Sequence, residues 1–123
     1  WKSPLKNRIT RYRQYNLPID SPGFAIYLRD EDGSVWSPAW RPVESDLSEW
    51  RAEHEPGLTR FIARRGEVTA VLELFIAPET DALVWDLRLS NAGSEQQKLD
   101  VFAYVEFCLL DWKQDVDWAC YVK

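Results

Sequence analysis

Methionine is absent from this 123-residue chain, cysteine occurs twice and histidine once. Each scarcity excludes something. Two thiols, Cys108 and Cys120, are too few for a disulfide scaffold and lack the paired spacing of a zinc site. Reduced thiols are the default for such a pair, which fits a cytoplasmic protein. With His54 alone, a Ser-His-Asp triad has no support, and no serine stands in a strand-to-helix elbow. Glu53 and Glu55 point away from a strand-borne His54, so no metal box follows. There is no glycine-rich phosphate loop. No apolar run is long enough to cross a bilayer, and no basic segment precedes an apolar one at the start. Lysine and arginine are outnumbered 15 to 20 by acids, a net charge of −5 that gives no nucleic-acid footprint. The chain opens on Trp1 and stops at Lys123 without closing turn chemistry, so a piece of a longer polypeptide is expected.

What is present belongs to one globular domain. Hydrophobic residues make up 46% and charged residues 28%, a balance that argues against disorder. Seven tryptophans are the unusual feature. The one basic cluster, "KNRITRYR" at 6–13, reads as a solvated strand or arm with salt-bridged arginines.

From Gly23 onward the dominant signal is period two. In "FAIYLRD", Phe24, Ile26 and Leu28 share one face, and "DEDG" at 30–33 supplies a turn before "SVW", which predicts a hairpin. "EVTAVLELFI" at 67–76 puts Val68, Ala70, Leu72, Leu74 and Ile76 on one face. "ALVWDLRLS" at 82–90 does the same with Leu83, Trp85, Leu87 and Leu89. "KLDVFAYVEFCLL" at 98–110 lines up Leu99, Val101, Ala103, Val105, Phe107 and Leu109. Three such strands with short polar breaks predict an antiparallel meander. The third carries Phe102, Tyr104, Glu106 and Cys108 on its second face, so it is expected to sit in the middle of a layered structure, with something outside this stretch lying against it. "SDLSEWRAEHE" at 45–55 predicts only a short helical turn, capped by Ser45 or Asp46 and stopped by Pro56 and Gly57. The fold class is all-β, an antiparallel β-sandwich, and a partial domain.

Trp85 belongs by this pattern to the core. Trp36 and Trp40 sit in "WSPAWRPV", where Pro38 and Pro42 cannot donate to a ladder, so the stretch is an edge or a corner. Spacing alone leaves two readings open: the indoles plug an end of the sandwich, or they form a platform that stacks on a sugar. Among the acids, Glu106, Asp111, Asp115 and Asp117 are mostly surface charges. Glu106 differs because a carboxylate on a doubly covered strand needs a partner, for which Arg11 or Arg13 is the candidate.

Taken together, "NRITRYR", "YLRDEDG", "WSPAWRPV", "PETDALVWDLRLSN" and "VFAYVEFC" occur in an order and spacing that resembles the N-terminal β-sandwich of glycoside hydrolase family 94, the cellobiose and chitobiose phosphorylases. Arg11, Tyr12 and Arg13 match one motif; Trp36, Ser37, Pro38, Trp40, Pro42 and Val43 match another; His54, Gly57 and Thr59 a third; Tyr104, Glu106, Phe107 and Cys108 a fourth. The resemblance implies that residues 1–123 are the first part of a supersandwich-like N-terminal domain, with a catalytic (α/α)6 barrel downstream. It further implies an inverting phosphorylase acting on a disaccharide and inorganic phosphate, without other cofactor or metal, as a homodimer. It reads the tryptophan–proline corner as a plug that closes and seats the sandwich, with Arg11, Arg13, Trp36, Trp40, Trp85 and Glu106 as packing residues. No catalytic residue is expected in this stretch. At 115–123, where many members carry an Asn-x-Gln-Arg-like stretch, Asp117, Trp118, Cys120 and Tyr121 are the candidates for touching substrate. The competing class is a free-standing carbohydrate-binding module using Trp36 and Trp40, and a sandwich without ligand is a third.

Overall fold

The computed structural model describes residues 23–80 and 82–107. Every element among them is a strand: β1 (Phe24–Asp30), β2 (Val35–Trp36), β3 (Glu49–Glu55), β4 (Leu58–Arg65), β5 (Val68–Ile76), β6 (Leu83–Asn91) and β7 (Leu99–Val105). They form two sheets, of order β2-β1-β7 and β3-β4-β5-β6. The larger compact unit runs from Ile26 to Phe102; Gly23–Ala25 and Ala103–Phe107 belong to a second. In that second unit the Glu106 amide donates to the Gly23 carbonyl at 2.7 Å.

The first hairpin follows from its turn. Asp30 donates its amide to the Ser34 carbonyl and receives one from Gly33, which takes a φ of +87° that suits glycine. Asp32 accepts the Ser34 amide through Oδ1 at 2.8 Å, which draws its carboxyl below the usual range. The resulting register sets Leu28 opposite Trp36.

The four-stranded sheet is a continuous antiparallel meander whose inward rows repeat across it. Ala63 faces Ala70, which faces Leu89; Phe61 faces Leu72, which faces Leu87. Where the two sheets overlap, Leu28 and Trp36 pack with Ala63, Val68 and Ala70 into a fully buried cluster, flanked by Leu47, Leu87 and Leu99. This is an antiparallel sandwich. Alanines at 63 and 70 leave the space that an indole fills.

Two expectations need correction. Residues 45–55 contain no helical turn: Glu49–Glu55 is a strand, and Pro56-Gly57 is the two-residue loop joining it to β4. Proline fixes its own φ negative and Gly57 sits at +82°, the combination of a type II turn, so the residues read as a helix stop in fact reverse a hairpin. Alternating Trp50, Ala52 and His54 against Glu49, Arg51, Glu53 and Glu55 is a period-two pattern. The strand β4, "LTRFIARR", went unread beside it. Next, the last three strands are not one meander. β5 and β6 pair, but β7 joins the other sheet beside β1. Alternation fixes which side chains face inward and says nothing of which sheet a strand enters. The crossover starts at Asn91, whose Oδ1 accepts the Gly93 amide and whose Nδ2 donates to the Glu95 carbonyl. Among the described residues β7 pairs with β1 alone, and it leaves Val101, Phe102, Tyr104 and Val105 exposed, apolar on both faces as its sequence pattern reads.

Candidate functional site

The corner after β2 is the most elaborated part of the described chain. Trp36 is 0% exposed, and its indole Nε1 donates to Asp30 Oδ1 at 2.9 Å. The other carboxylate oxygen of Asp30 meets Arg65 Nε at 3.0 Å. One carboxylate therefore ties β1, β2 and β4 together, across both sheets. Pro38, with no amide to donate, ends the ladder, and a turn follows: Trp40 donates to the Ser37 carbonyl at 2.9 Å and Glu44 to that of Trp40 at 2.8 Å. Trp40 itself is left-handed, at φ 67°, which costs a non-glycine residue on the order of 1 kcal/mol. That backbone brings its ring to Trp50 on β3, centroids 6.2 Å apart and planes tilted by 46°. Trp50 is held in turn by its Nε1, which donates to the Pro38 carbonyl at 3.1 Å.

The outer face of the four-stranded sheet carries a row of charge. Glu53, Arg60, Glu73 and Asp86 stand opposite one another on β3, β4, β5 and β6. Arg60 donates to Glu73 at 2.7 Å and to Glu53 at 2.9 Å, and Arg88 reaches Asp86 at 2.6 Å and Glu73 at 3.3 Å. The Arg60 bond draws the Glu53 carboxyl down, and the bonds to Glu53 and Glu73 push Arg60 up; Asp86 does the same to Arg88. With Arg51 Nε 3.1 Å from Glu53, the three carboxylates meet three guanidinium groups, and the row neutralises itself. It offers no surplus acid or base for chemistry.

Arg29 and Asp100 form a second polar centre between β1 and β7. Two guanidinium nitrogens, Nε and Nη2, donate to one oxygen of Asp100 at 3.1 and 2.6 Å, and this bonding lowers the Asp100 carboxyl. The guanidinium lies 5.2 Å from the centroid of Phe102. An open cleft of about 220 Å³ beside them is lined by Arg29, Asp30, Glu31, Gly33, Lys98 and Asp100. Its charges are of mixed sign, with Arg29 engaged by Asp100 and Asp30 by Trp36 and Arg65, so they do not converge on a reacting atom.

The residues singled out from the sequence are spread over these places. Trp36 and Trp40 share the corner. Trp85 stands opposite Leu74, half-buried and outside the fully buried cluster. Glu106 is half-buried and accepts the Tyr104 hydroxyl at 2.5 Å. His54 pairs with Thr59 across the β3–β4 hairpin, Nδ1 to Oγ1 at 3.1 Å, and meets the edge of Phe61. Arg11, Arg13, Asp117, Trp118, Cys120 and Tyr121 lie outside the described residues. Among the described residues no group of histidine, cysteine, aspartate and glutamate is placed to hold a metal ion. Two residues that sequence reasoning passed over prove central: Asp30, hidden in a turn motif, and Trp50, hidden in a segment read as helical.

Comparison with known proteins settles the class. A model of the glycosyl hydrolase 94 supersandwich domain matches residues 1–122. The chain belongs to this family. The supersandwich chain is 36% identical over 110 residues to an N,N'-diacetylchitobiose phosphorylase of Vibrio furnissii, covering 87% of the chain and 14% of that protein. It is 30% identical over 98 residues to a solabiose phosphorylase of Paenibacillus borealis, covering 79% and 13% respectively. A 3-O-beta-D-glucopyranosyl-beta-D-glucuronide phosphorylase of the same organism is 24% identical over 92 residues, covering 74% and 12%. The supersandwich chain thus spans about a seventh of the length of the curated relatives it matches.

Proposed function

We propose that this chain is the first part of an N-terminal β-sandwich in a cytoplasmic, homodimeric inverting disaccharide phosphorylase. A phosphate oxygen attacks the anomeric carbon of a β-linked glucoside while a carboxylic acid protonates the departing glycosidic oxygen. The C–O bond breaks with inversion, and an α-sugar 1-phosphate and a free acceptor sugar leave. Phosphate stands where inverting hydrolases place an activated water, so no carboxylate base is needed. The acid and the phosphate-binding groups belong to an (α/α)6 barrel downstream. The sandwich supports that barrel, contributes to dimer contacts and, through Asp117, Trp118, Cys120 and Tyr121, lines part of the pocket.

The observation that carries this reading is the family match across residues 1–122, joined to relatives that are themselves phosphorylases. The relatives differ in the sugar they are named for, and the acceptor is therefore set by direct assay. The full-length protein, given inorganic phosphate and a panel of cellobiose, cellobionic acid, N,N'-diacetylchitobiose and solabiose, is expected to release an α-sugar 1-phosphate from at least one. Cleavage that proceeds equally without phosphate, or none with any member, would end this reading. The carbohydrate-binding module built on Trp36 and Trp40 loses half its platform, because Trp36 exposes no face to a ligand.

A further inference from the structure

We propose that Trp40 and Trp50 form a non-catalytic binding site for a β-linked pyranose chain at the corner of the sandwich, distinct from the phosphorolytic site. The strand at 49–55 makes this site by replacing the buried Trp36 with Trp50 as the second ring. Trp50 is 42% exposed, whereas Trp40 is part-buried beneath it. With centroids 6.2 Å apart and a 46° tilt, the rings touch one another and leave no slot between them. They make one bent aromatic surface on which a ligand lies.

Both rings are held before any ligand arrives. The bond from Trp50 Nε1 to the Pro38 carbonyl fixes one indole, and contact with that ring holds the other. A rigid aromatic loses little freedom on binding, and the backbone cost at Trp40 fits the strain that binding sites store. The size of the surface selects the ligand. Two-fifths of an indole amounts to roughly 100 Å², the scale of one sugar ring's face. A β-linked gluco-configured pyranose has equatorial substituents and an apolar face of axial C–H bonds, which matches an indole in area and character. Hydroxyls at its rim need charged or polar partners, and the exposed Arg41–Glu44 pair, 3.4 Å apart beside Trp40, supplies a donor and an acceptor.

Affinity electrophoresis of the full-length protein in native gels containing hydroxyethylcellulose tests this without turnover, so its outcome is separate from the phosphorolysis assay. Retardation is expected with the β-glucan and not with soluble starch. Trp50→Ala should weaken it roughly tenfold, as removal of a central aromatic anchor does, and Trp50→Phe should keep most of it. Near-UV circular dichroism of both variants reports whether the corner stays folded. A wild-type protein that runs unretarded, or retardation that Trp50→Ala leaves intact, overturns the proposal. So does acrylamide quenching that is the same in wild type and Trp50→Phe, since that places the indole under the rest of the polypeptide.

Discussion

Replacing Trp36 by alanine should be the most damaging single change in the described part of the sandwich. The indole has no exposure, packs against Leu28, Ala63, Val68 and Ala70, and fills a space left by two alanines. Burying it removes on the order of 200 Å² from water, worth about 5 kcal/mol at the usual area coefficient. Truncations of this kind cost about 3–5 kcal/mol once partial collapse is allowed, and the small neighbours here cannot reach inward to close the gap. Loss of the Nε1 donor adds a second effect, because Asp30 Oδ1 then keeps only what solvent offers while Oδ2 holds Arg65. We expect a loss near the top of that range. Urea unfolding of the full-length protein gives the magnitude. Amide exchange in residues 24–36 and 61–72 localises it, since the four strands that build the cluster should open together. The partial variant Trp36→Phe retains most of the area and should cost about 1–3 kcal/mol, close to an unmet buried hydrogen bond plus a small cavity. If Trp36→Ala costs under about 1 kcal/mol, below any fully buried large side chain, the corner is not the plug of this sandwich.

Other outcomes follow from single contacts. Asp30→Ala should cost about 2 kcal/mol by stranding both Trp36 Nε1 and Arg65, and Asp30→Asn about half that, measured as a shift in urea midpoint. Because the folded Asp100 carboxyl lies below its usual range through Arg29, its contribution is present above the ordinary aspartate pKa and is lost as pH falls through the lowered value. Amides near residues 29 and 100 should therefore lose protection, relative to the intrinsic exchange rate at each pH, on acidification in the wild type, with the acid-linked part of that loss absent from Asp100→Asn. Gly57→Ala meets no atom within 4 Å, so its cost is purely the left-handed φ of +82°, about 1–2 kcal/mol by midpoint shift; a larger loss would mean the hairpin has another partner. Thr59→Val keeps the shape of the hairpin and removes the hydroxyl opposite His54, and thermal unfolding should change by no more than about 1 kcal/mol.

The sandwich was legible wherever one face is buried and the other wet. Val68, Ala70 and Leu72 announce β5 because the core cluster demands apolar side chains at alternate positions. The β1–β2 turn was legible because Asp30 and Gly33 have few other uses. β3 was not, since among the described residues it ends its sheet and its two faces carry Trp50, His54 and three glutamates, so burial pressure on it is slight. Proline-glycine is also ambiguous, closing helices and hairpins alike. The destination of β7 was hidden for a different reason: pairing partners are chosen in three dimensions, after faces are set. Of the candidate site, the tryptophan–proline corner could be named but not its arrangement, because the partner of Trp40 depends on a strand the pattern did not reveal.

The charged row on the outer face has a consequence for how the sheet is assembled. Inward, a two-residue slip of β4 past β5 would exchange one apolar neighbour for another, Ala63 meeting Leu72 in place of Ala70, and hydrophobic contact would hardly object. Outward, the same slip sets Arg60 against Phe75 and Glu73 against Ile62, or in the other direction Arg60 against Val71 and Glu73 against Leu58, breaking the Arg60–Glu73 ion pair and parting the Ile62–Val71 and Leu58–Phe75 contacts at once. Alignment of these strands is thus checked from the solvent side, by side chains that contribute nothing to the interior.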